Sequence, residues 1–220
     1  MTCYKATRPN GADFHSGKVL YEVGKITKHP TSTQMLAHDP STYLSASIAP
    51  ADCTGFRWPC RLFEVKPVGK TCKRSDGELP NKRGSLAWEV VKELPAWQAF
   101  GPNGEAVVAL IEKAKTMTPD QARRLRTARG AAWEAARRAA RGAARDAARG
   151  AAWEAAGEAA WRAAWEAAWE AAWEAAREAA WQAAWEAAGG AALALVAKDL
   201  ITQEQFDILY SPWKSVMEAE

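Results

Sequence analysis

Residues 131–190 read AAWEAARRAARGAARDAARGAAWEAAGEAAWRAAWEAAWEAAWEAAREAAWQAAWEAAGG, a four-residue unit Ala-Ala-X-Z written fifteen times without interruption. X is drawn only from Trp, Arg and Gly, and Z is mostly Glu. A repeat of fixed period outranks local motifs, because each unit must bury its apolar side against its neighbours. Ala is the strongest helix former and the repeat holds no Pro, so the segment is predicted to be helical. Thr118-Pro119-Asp120-Gln121 supplies the start, with Thr118 as N-cap, Pro119 at the first helical position and Gln121 closing a capping box. Gly130, Gly142, Gly150 and Gly157 each cost about 1 kcal/mol relative to Ala, but none is joined by the Pro, Asn or Ser of a turn. A nearly continuous helix from Thr118 to about Ala197 is expected, roughly 120 Å long at about 1.5 Å per residue. Gly189-Gly190 is its expected bend, and a hairpin turning near Gly150 is the alternative.

Trp occupies X at Trp133, Trp153, Trp161, Trp165, Trp169, Trp173, Trp181 and Trp185. Each tetrad turns through about 400°, so the Trp stripe drifts by about 40° per unit and circles the helix. The charged Z positions drift with it, leaving no fixed polar face for a membrane surface. No stretch approaches the roughly 18 apolar residues of a membrane span. Each Trp can bury about 150–250 Å², and this many exposed on one rod exceed the few hundred Å² patch of a soluble monomer. Self-association is therefore predicted, and a period above 3.6 favours right-handed winding of several neighbours. Trp, Arg and Gly codons ending in GG differ only in their first base, so slippage of a twelve-base repeat explains the X set. A passive spacer is the competing reading, although the translated rod must still cover its rings.

The net charge of +3 hides a segregation: nine Arg against three acids over 118–150, then two Arg against seven Glu over 151–190. This order opposes the helix macrodipole, which prefers anions at the N-terminus. Antiparallel helices, between chains or within a hairpin, would set Arg137, Arg138, Arg141, Arg145 and Arg149 against Glu154, Glu166, Glu170 and Glu174. Surface ion pairs contribute about 0–1 kcal/mol each, enough to choose orientation rather than affinity. The alternative reading of the Arg-rich half is a nucleic-acid contact, with salt-dependent binding as its signature.

The remaining sequence is ordinary. Residues 1–117 hold all four Cys, all three His and almost every Pro. Short apolar runs bounded by turn residues predict strands at Thr2–Ala6, Val19–Val23, Thr42–Ala46 and Arg61–Pro67. Apolar spacing predicts helices at Ser85–Leu94, ended by Pro95, and at Glu105–Lys115. After the repeat, Thr202-Gln203-Glu204-Gln205 is a second capping box. It opens a short helix with Phe206, Leu209 and Tyr210 on one face, ended by Ser211-Pro212. The expected fold class is thus α+β: a small β-rich domain (1–117), a long Ala/Trp-repeat helix (118–200) and a C-terminal capping helix and tail (201–220). Cys3, Cys53, Cys60 and Cys72 lack zinc spacing and read as reduced thiols, with a Cys53–Cys60 disulfide as competitor. His15, His29 and His38 read as loop residues, and no Gly-rich phosphate loop is present. Lys70, Lys73, Arg74, Lys82 and Arg83 form a basic cluster, read as solvated surface or a phosphate contact.

The runs CYKATRPNGADFHSGKVLYEVGKITKHP, YLSASIAPADCTG and RLFEVKPVGK resemble an uncharacterised domain found in phage and bacterial proteins. The shared pattern is a Tyr-Lys-Ala start, Tyr-Glu-Val-Gly-Lys, Pro-x-Asp-Cys and Phe-Glu-Val, covering about the first 95 residues. It implies no established activity. Tyr4-Lys5, Ser45-Ala46-Ser47 and Glu89 or Glu93 are also similar to the ordered elements of the ADP-ribosyltransferase fold. That likeness implies binding of nicotinamide-adenine dinucleotide, but Lys5 stands where many members place Arg and the paired acidic motif is absent.

The reading that unites these features is a non-enzymatic structural protein assembling as a homo-oligomer through its Trp-Ala helix. No cofactor, metal or membrane partner is expected. No basic leader precedes an apolar run, so the host cytoplasm or a phage virion is the expected location.

Overall fold

The computed structural model describes residues 1–53, 56–73, 79–128, 166–167 and 181–218. They fall into two compact units, Met1–Ala99 and Phe100–Glu220. This division lies ahead of the compositional boundary at residue 117.

The first unit is built on a six-stranded sheet, with β1 Cys3–Thr7, β2 Ile26–Lys28, β3 Leu44–Ser47, β4 Arg61–Pro67, β5 Lys82–Ser85 and β6 Ala87–Leu94. The strand order is β2-β6-β4-β1-β3-β5, and every pairing is antiparallel. Register explains the core. Cys3 lies opposite Val65 and Lys5 opposite Phe63, while Val65 lies opposite Val90 and Pro67 opposite Trp88. Side chains alternate between faces along a strand, so this register gathers Cys3, Phe63, Val65, Trp88 and Val90 on one side. Leu44, Ala46 and Tyr21 complete that buried cluster. The Trp88 indole Nε1 donates to the Leu44 carbonyl at 2.8 Å, which satisfies the polar atom of the largest side chain in this cluster.

Two expected elements differ. Ser85–Leu94 is not a helix: its residues end β5 and form β6. The cause is a bulge. Glu64 lies opposite Lys92 and Val65 opposite Val90, so Val91 is an extra residue in the strand. Val90 and Val91 thus fall side by side, and Ala87, Val90, Val91 and Leu94 acquire the spacing of a helix face. Val19–Val23 is not a sheet strand either. It makes one bridge, Ala12 with Leu20, and folds Tyr21 into the core with Tyr21 N donating to Gly11 O. The strand follows at β2, after a turn in which Gly24 adopts φ 79°. The strands read at Thr2–Ala6, Thr42–Ala46 and Arg61–Pro67 correspond to β1, β3 and β4. Residues 40–42 form a 3-10 turn ahead of β3, capped by Asp39, which accepts from Ser41 N.

The second unit is helical. Its described elements are α1 Gly104–Lys115, α2 at residues 119–128, α3 Trp181–Val196 and α4 Gln203–Met217. Val107, Leu110, Ile111 and Ala114 form the buried stripe of α1, which packs on α3. Thr118 caps α2 as its sequence predicts, with Gln121 N donating to Thr118 Oγ1 at 3.2 Å and Thr118 N donating to Gln121 Oε1 at 2.8 Å. The Thr202 box at the start of α4 is also formed. α4 nevertheless runs through Ser211-Pro212 to Met217. Proline removes one helical hydrogen bond, but Pro212, Trp213, Val216 and Met217 are buried, and that burial offsets the loss.

Of the expected 118–197 helix, the described parts at 119–128, 166–167 and Trp181–Val196 are helical, and the rest lies outside the described residues. No bend occurs at Gly189-Gly190, which lies inside α3. Every residue from 187 to 197 except Gly190 is buried, so α3 is covered on all sides where its side chains are described. Leu193 and Ala197 pack with Ile201 and Leu209. Asn103, just before α1, donates through Nδ2 to Asp199 Oδ2, just past α3, at 2.7 Å.

Two glycines allow opposite predictions. A Cβ on Gly84 would meet the Tyr43 ring at Cδ2 and Cγ, the latter at 2.7 Å, and Cys72 Sγ at 2.8 Å. On Gly190 the nearest atom is Leu209 O at 3.5 Å, an ordinary contact. Gly84→Ala should destabilise the sheet unit by about 1–3 kcal/mol, and Gly190→Ala should stabilise the helical unit by about 0.4–1 kcal/mol. Urea unfolding, followed by near-ultraviolet and far-ultraviolet circular dichroism, reads both.

Candidate functional site

The polar centre of the sheet unit is Lys5. Alternation places its side chain on the core face of β1 between Cys3 and Thr7, both fully buried. Its ammonium Nζ donates to the Ser45 carbonyl at 3.0 Å and lies 5.3 Å from the centroid of the Tyr21 ring. Burial pulls its pKa below the ordinary lysine value, partly offset by the Asp13 carboxylate. Asp13 is itself buried, which works to raise its pKa. Hydrogen bonds outweigh that effect: Ser16 N donates at 2.7 Å, Ser16 Oγ at 2.6 Å and Val19 N at 3.1 Å, and the carboxyl is held below its usual range. The Tyr21 hydroxyl is buried without a hydrogen-bond partner, and burial pushes its pKa well up. This cluster closes the 11–21 loop over the sheet. Its chemistry is that of a positioned cation under an aromatic ring.

A second lysine lies within electrostatic range of Lys5. Lys82 on β5 lies opposite Ser47 of β3, and Ser47 Oγ donates to Asp52 O at 2.7 Å. Burial brings Lys82 down to about 8. Burial also raises the Cys53 thiol, and it pushes Cys60 up to about 12 with help from Cys53. All four cysteines are free. Thiols held protonated are poor nucleophiles at neutral pH.

Of the residues carrying the transferase likeness, Lys5 and Ser45 are brought together, whereas the glutamates are not. Tyr4 and Ser45 lie on the adjacent strands β1 and β3, with Tyr4 opposite Ser47. Glu89 and Glu93 lie on β6, with β4 and β1 between it and β3. Strands are spaced about 4.8 Å apart, so roughly 14 Å of sheet separates the serines from those carboxylates. Glu93 is engaged by Arg61, whose Nε and terminal nitrogen donate at 2.8 and 2.7 Å. Among the other expected residues, His29 Nδ1 accepts from Ser32 N at 2.8 Å as a turn cap. Lys70 and Lys73 lie beside the β5 edge strand and Arg83 within it, where Arg83 donates to the carbonyls of Pro80 and Lys82. Arg74 lies outside the described residues. Among the described residues no group of three His, Cys, Asp or Glu could hold a metal ion, and no helix is long and apolar enough to cross a membrane.

Most of the expected assembly residues lie outside the described residues: Trp133, Trp153, Trp161, Trp165, Trp169 and Trp173, with Arg137, Arg138, Arg141, Arg145, Arg149, Glu154, Glu170 and Glu174. Trp181 and Trp185 belong to α3, and Glu166 is in helical conformation beside the buried Ala167. At the described edge of the Arg-rich stretch, a groove of about 390 Å³ is lined by Arg123, Arg124 and Thr127 of α2 and by Ser215 and Val216 of α4. Arg123 is paired with Asp120.

Compared with protein-family models, curated proteins and solved structures, the chain finds no match in any of the three.

Lys5 enters the sequence reading only through the transferase likeness, and its grouping with Asp13 and Tyr21 is not foreseen there. The available signal was an alternating strand, CYKAT, with a lysine on the same parity as Cys3. A charged residue at an inward position implies a buried partner.

Lys82 gives a pH prediction. Its folded pKa, about 8, lies below the ordinary 10.5, so between these values the unfolded chain binds more protons than the folded one. Stability should rise with pH across that window. Lys82→Met should remove this component of the rise, seen as the difference between the urea midpoints of the two proteins at pH 7.5 and pH 10, about neutral pH and the lysine range. Parallel midpoints would show that Lys82 is solvated like a surface lysine.

Proposed function

We propose that this chain is a non-enzymatic structural protein that self-associates through its Trp-Ala helices and carries the sheet unit on that assembly. The observation that supports the reading best is the repeat itself, which carries eight Trp in sixty residues with no fixed polar face opposite them. The last tetrad and the following ALALVA run, from 187 to 197 apart from Gly190, are buried within a single chain, and Ala and Gly there let neighbouring helices approach closely.

Within this proposal we favour the hairpin form of the repeat over the single rod. Supporting it is the meeting of the segment's flanks, through α1 packed on α3 and through the Asn103–Asp199 bond. An uninterrupted straight helix between residues 118 and 197 would hold its ends roughly 120 Å apart. A reversal near Gly150 sets the Arg137–Arg149 stretch antiparallel to Glu154–Glu174, so the charge segregation is used within one chain. The Trp stripe, drifting by about 40° per tetrad, then leaves rings outside the hairpin seam, and these mediate contact between chains.

Size-exclusion chromatography with light scattering at micromolar concentration should give a multiple of the 23.9 kDa chain mass. Combined replacement of Trp165, Trp169 and Trp173 by Ala should shift the protein towards the monomer while far-ultraviolet helicity is kept. A clean monomer for the natural chain would overturn the proposal.

A further inference from the structure

β2 ends the sheet and is bonded to β6 on one side only. Its register fixes which backbone groups that bonding uses. Val90 N donates to Lys25 O at 2.9 Å and His29 N donates to Leu86 O at 2.7 Å. Residues 25, 27 and 29 therefore face β6, and in an antiparallel ladder the intervening residues turn their N–H and C=O groups the other way. Ile26 and Lys28 direct two donors and two acceptors to the outer edge, and no described residue bonds them there.

The groove along that edge is apolar and carries three lysines, Lys18, Lys25 and Lys28, against one acid, Glu22, with Glu89 of β6 opposite Ile26. Leu20 is 53% exposed, Val23 50% and Ile26 52%, an unusual grouping for one corner of a small unit. A groove of about 270 Å³ runs beside β2, lined by Val19 and Leu20 on one side and Ile26 to Lys28 on the other. Thr27 Oγ1 donates to Leu20 O at 2.8 Å, fixing the inner wall. Lys25 is paired with Glu22, whereas Lys18 and Lys28 have no acidic partner among the described residues. A lysine on an edge strand ordinarily guards against edge-to-edge pairing. Here it repels a second copy of the same edge and leaves the groove complementary to an acidic strand.

We propose that the outer edge of β2 receives an extended acidic segment of another protein, which adds a strand to the sheet. Main-chain bonds to Ile26 and Lys28 supply the attachment. Ile26 and Lys28 project to the same face, so the segment carries an apolar side chain opposite Ile26 and a carboxylate two residues away, opposite Lys28. This inference concerns the sheet unit and stands apart from the assembly of the repeat.

The test uses the full chain and a fluorescein-labelled peptide, Thr-Glu-Val-Val-Val-Glu-Thr, with a control carrying Lys in place of both Glu. Anisotropy should show saturable binding of the acidic peptide only, and hydrogen-exchange mass spectrometry should show added protection confined to residues 22–30. Lys28→Glu should weaken the acidic peptide by about tenfold and admit the Lys peptide. Ile26→Pro should also weaken binding, because it removes an outward N–H while sparing the ladder to β6. Absence of saturable binding, equal binding of both peptides, protection elsewhere, or indifference to Lys28→Glu would each overturn the proposal.

Discussion

The contact of α1 with α3, closed by Asn103 and Asp199, constrains the rest of the helical unit. It brings together positions almost a hundred residues apart in sequence, and the whole repeat must leave and return between them. Loop-closure entropy rises only slowly with length, by about 0.6 kcal/mol per doubling. The buried Val107, Leu110, Ile111, Leu193 and Leu195 are each worth about 1.5–3 kcal/mol. Closure is therefore affordable, and the repeat's charge order becomes intelligible. On the proposed hairpin, a basic strand of helix is answered by an acidic one, where a lone helix would suffer the arrangement against its own dipole.

The sheet unit is governed by a different requirement, the alternation of faces. Where alternation is clean, as in CYKAT and RLFEVKP, the strands were legible with errors of at most one residue at the ends. Where it is broken, the reading failed for a definable reason. The bulge at Val91 made β6 imitate a helix, and a bulge is a property of strand pairing that no single segment displays. Leu20 and Val23 suggested a strand because they are apolar, yet both remain largely exposed and Tyr21 alone is buried there. The helix starts at Thr118 and Thr202 were readable because a capping box is a local pair of reciprocal hydrogen bonds. The stop at Pro212 was misread because burial of Trp213, Val216 and Met217 depends on distant residues.

The polar features follow the same division. Lys5 has a visible parity in the sequence, but its partners come from a loop and from β3, forty residues away for Ser45. The open edge of β2 was not legible at all, since an edge is defined by strand order. Composition predicts a helical repeat, and the described Gly189-Gly190 pair shows the limit of that reading. Two adjacent glycines suggested a bend, whereas surrounding burial keeps them within a continuous helix.

The central claim is that the repeat begins and ends at one place and assembles from there. Its most direct test is a distance within the helical unit. Nitroxide-bearing unnatural residues at Thr118 and Lys198 leave the four native thiols intact, and dilution with unlabelled chain isolates the intrachain distance for pulsed dipolar spectroscopy. The account predicts a short distance, within roughly two to three helix diameters or about 30 Å. A distance too long to resolve, as an uninterrupted helix of roughly 120 Å would give, would contradict it.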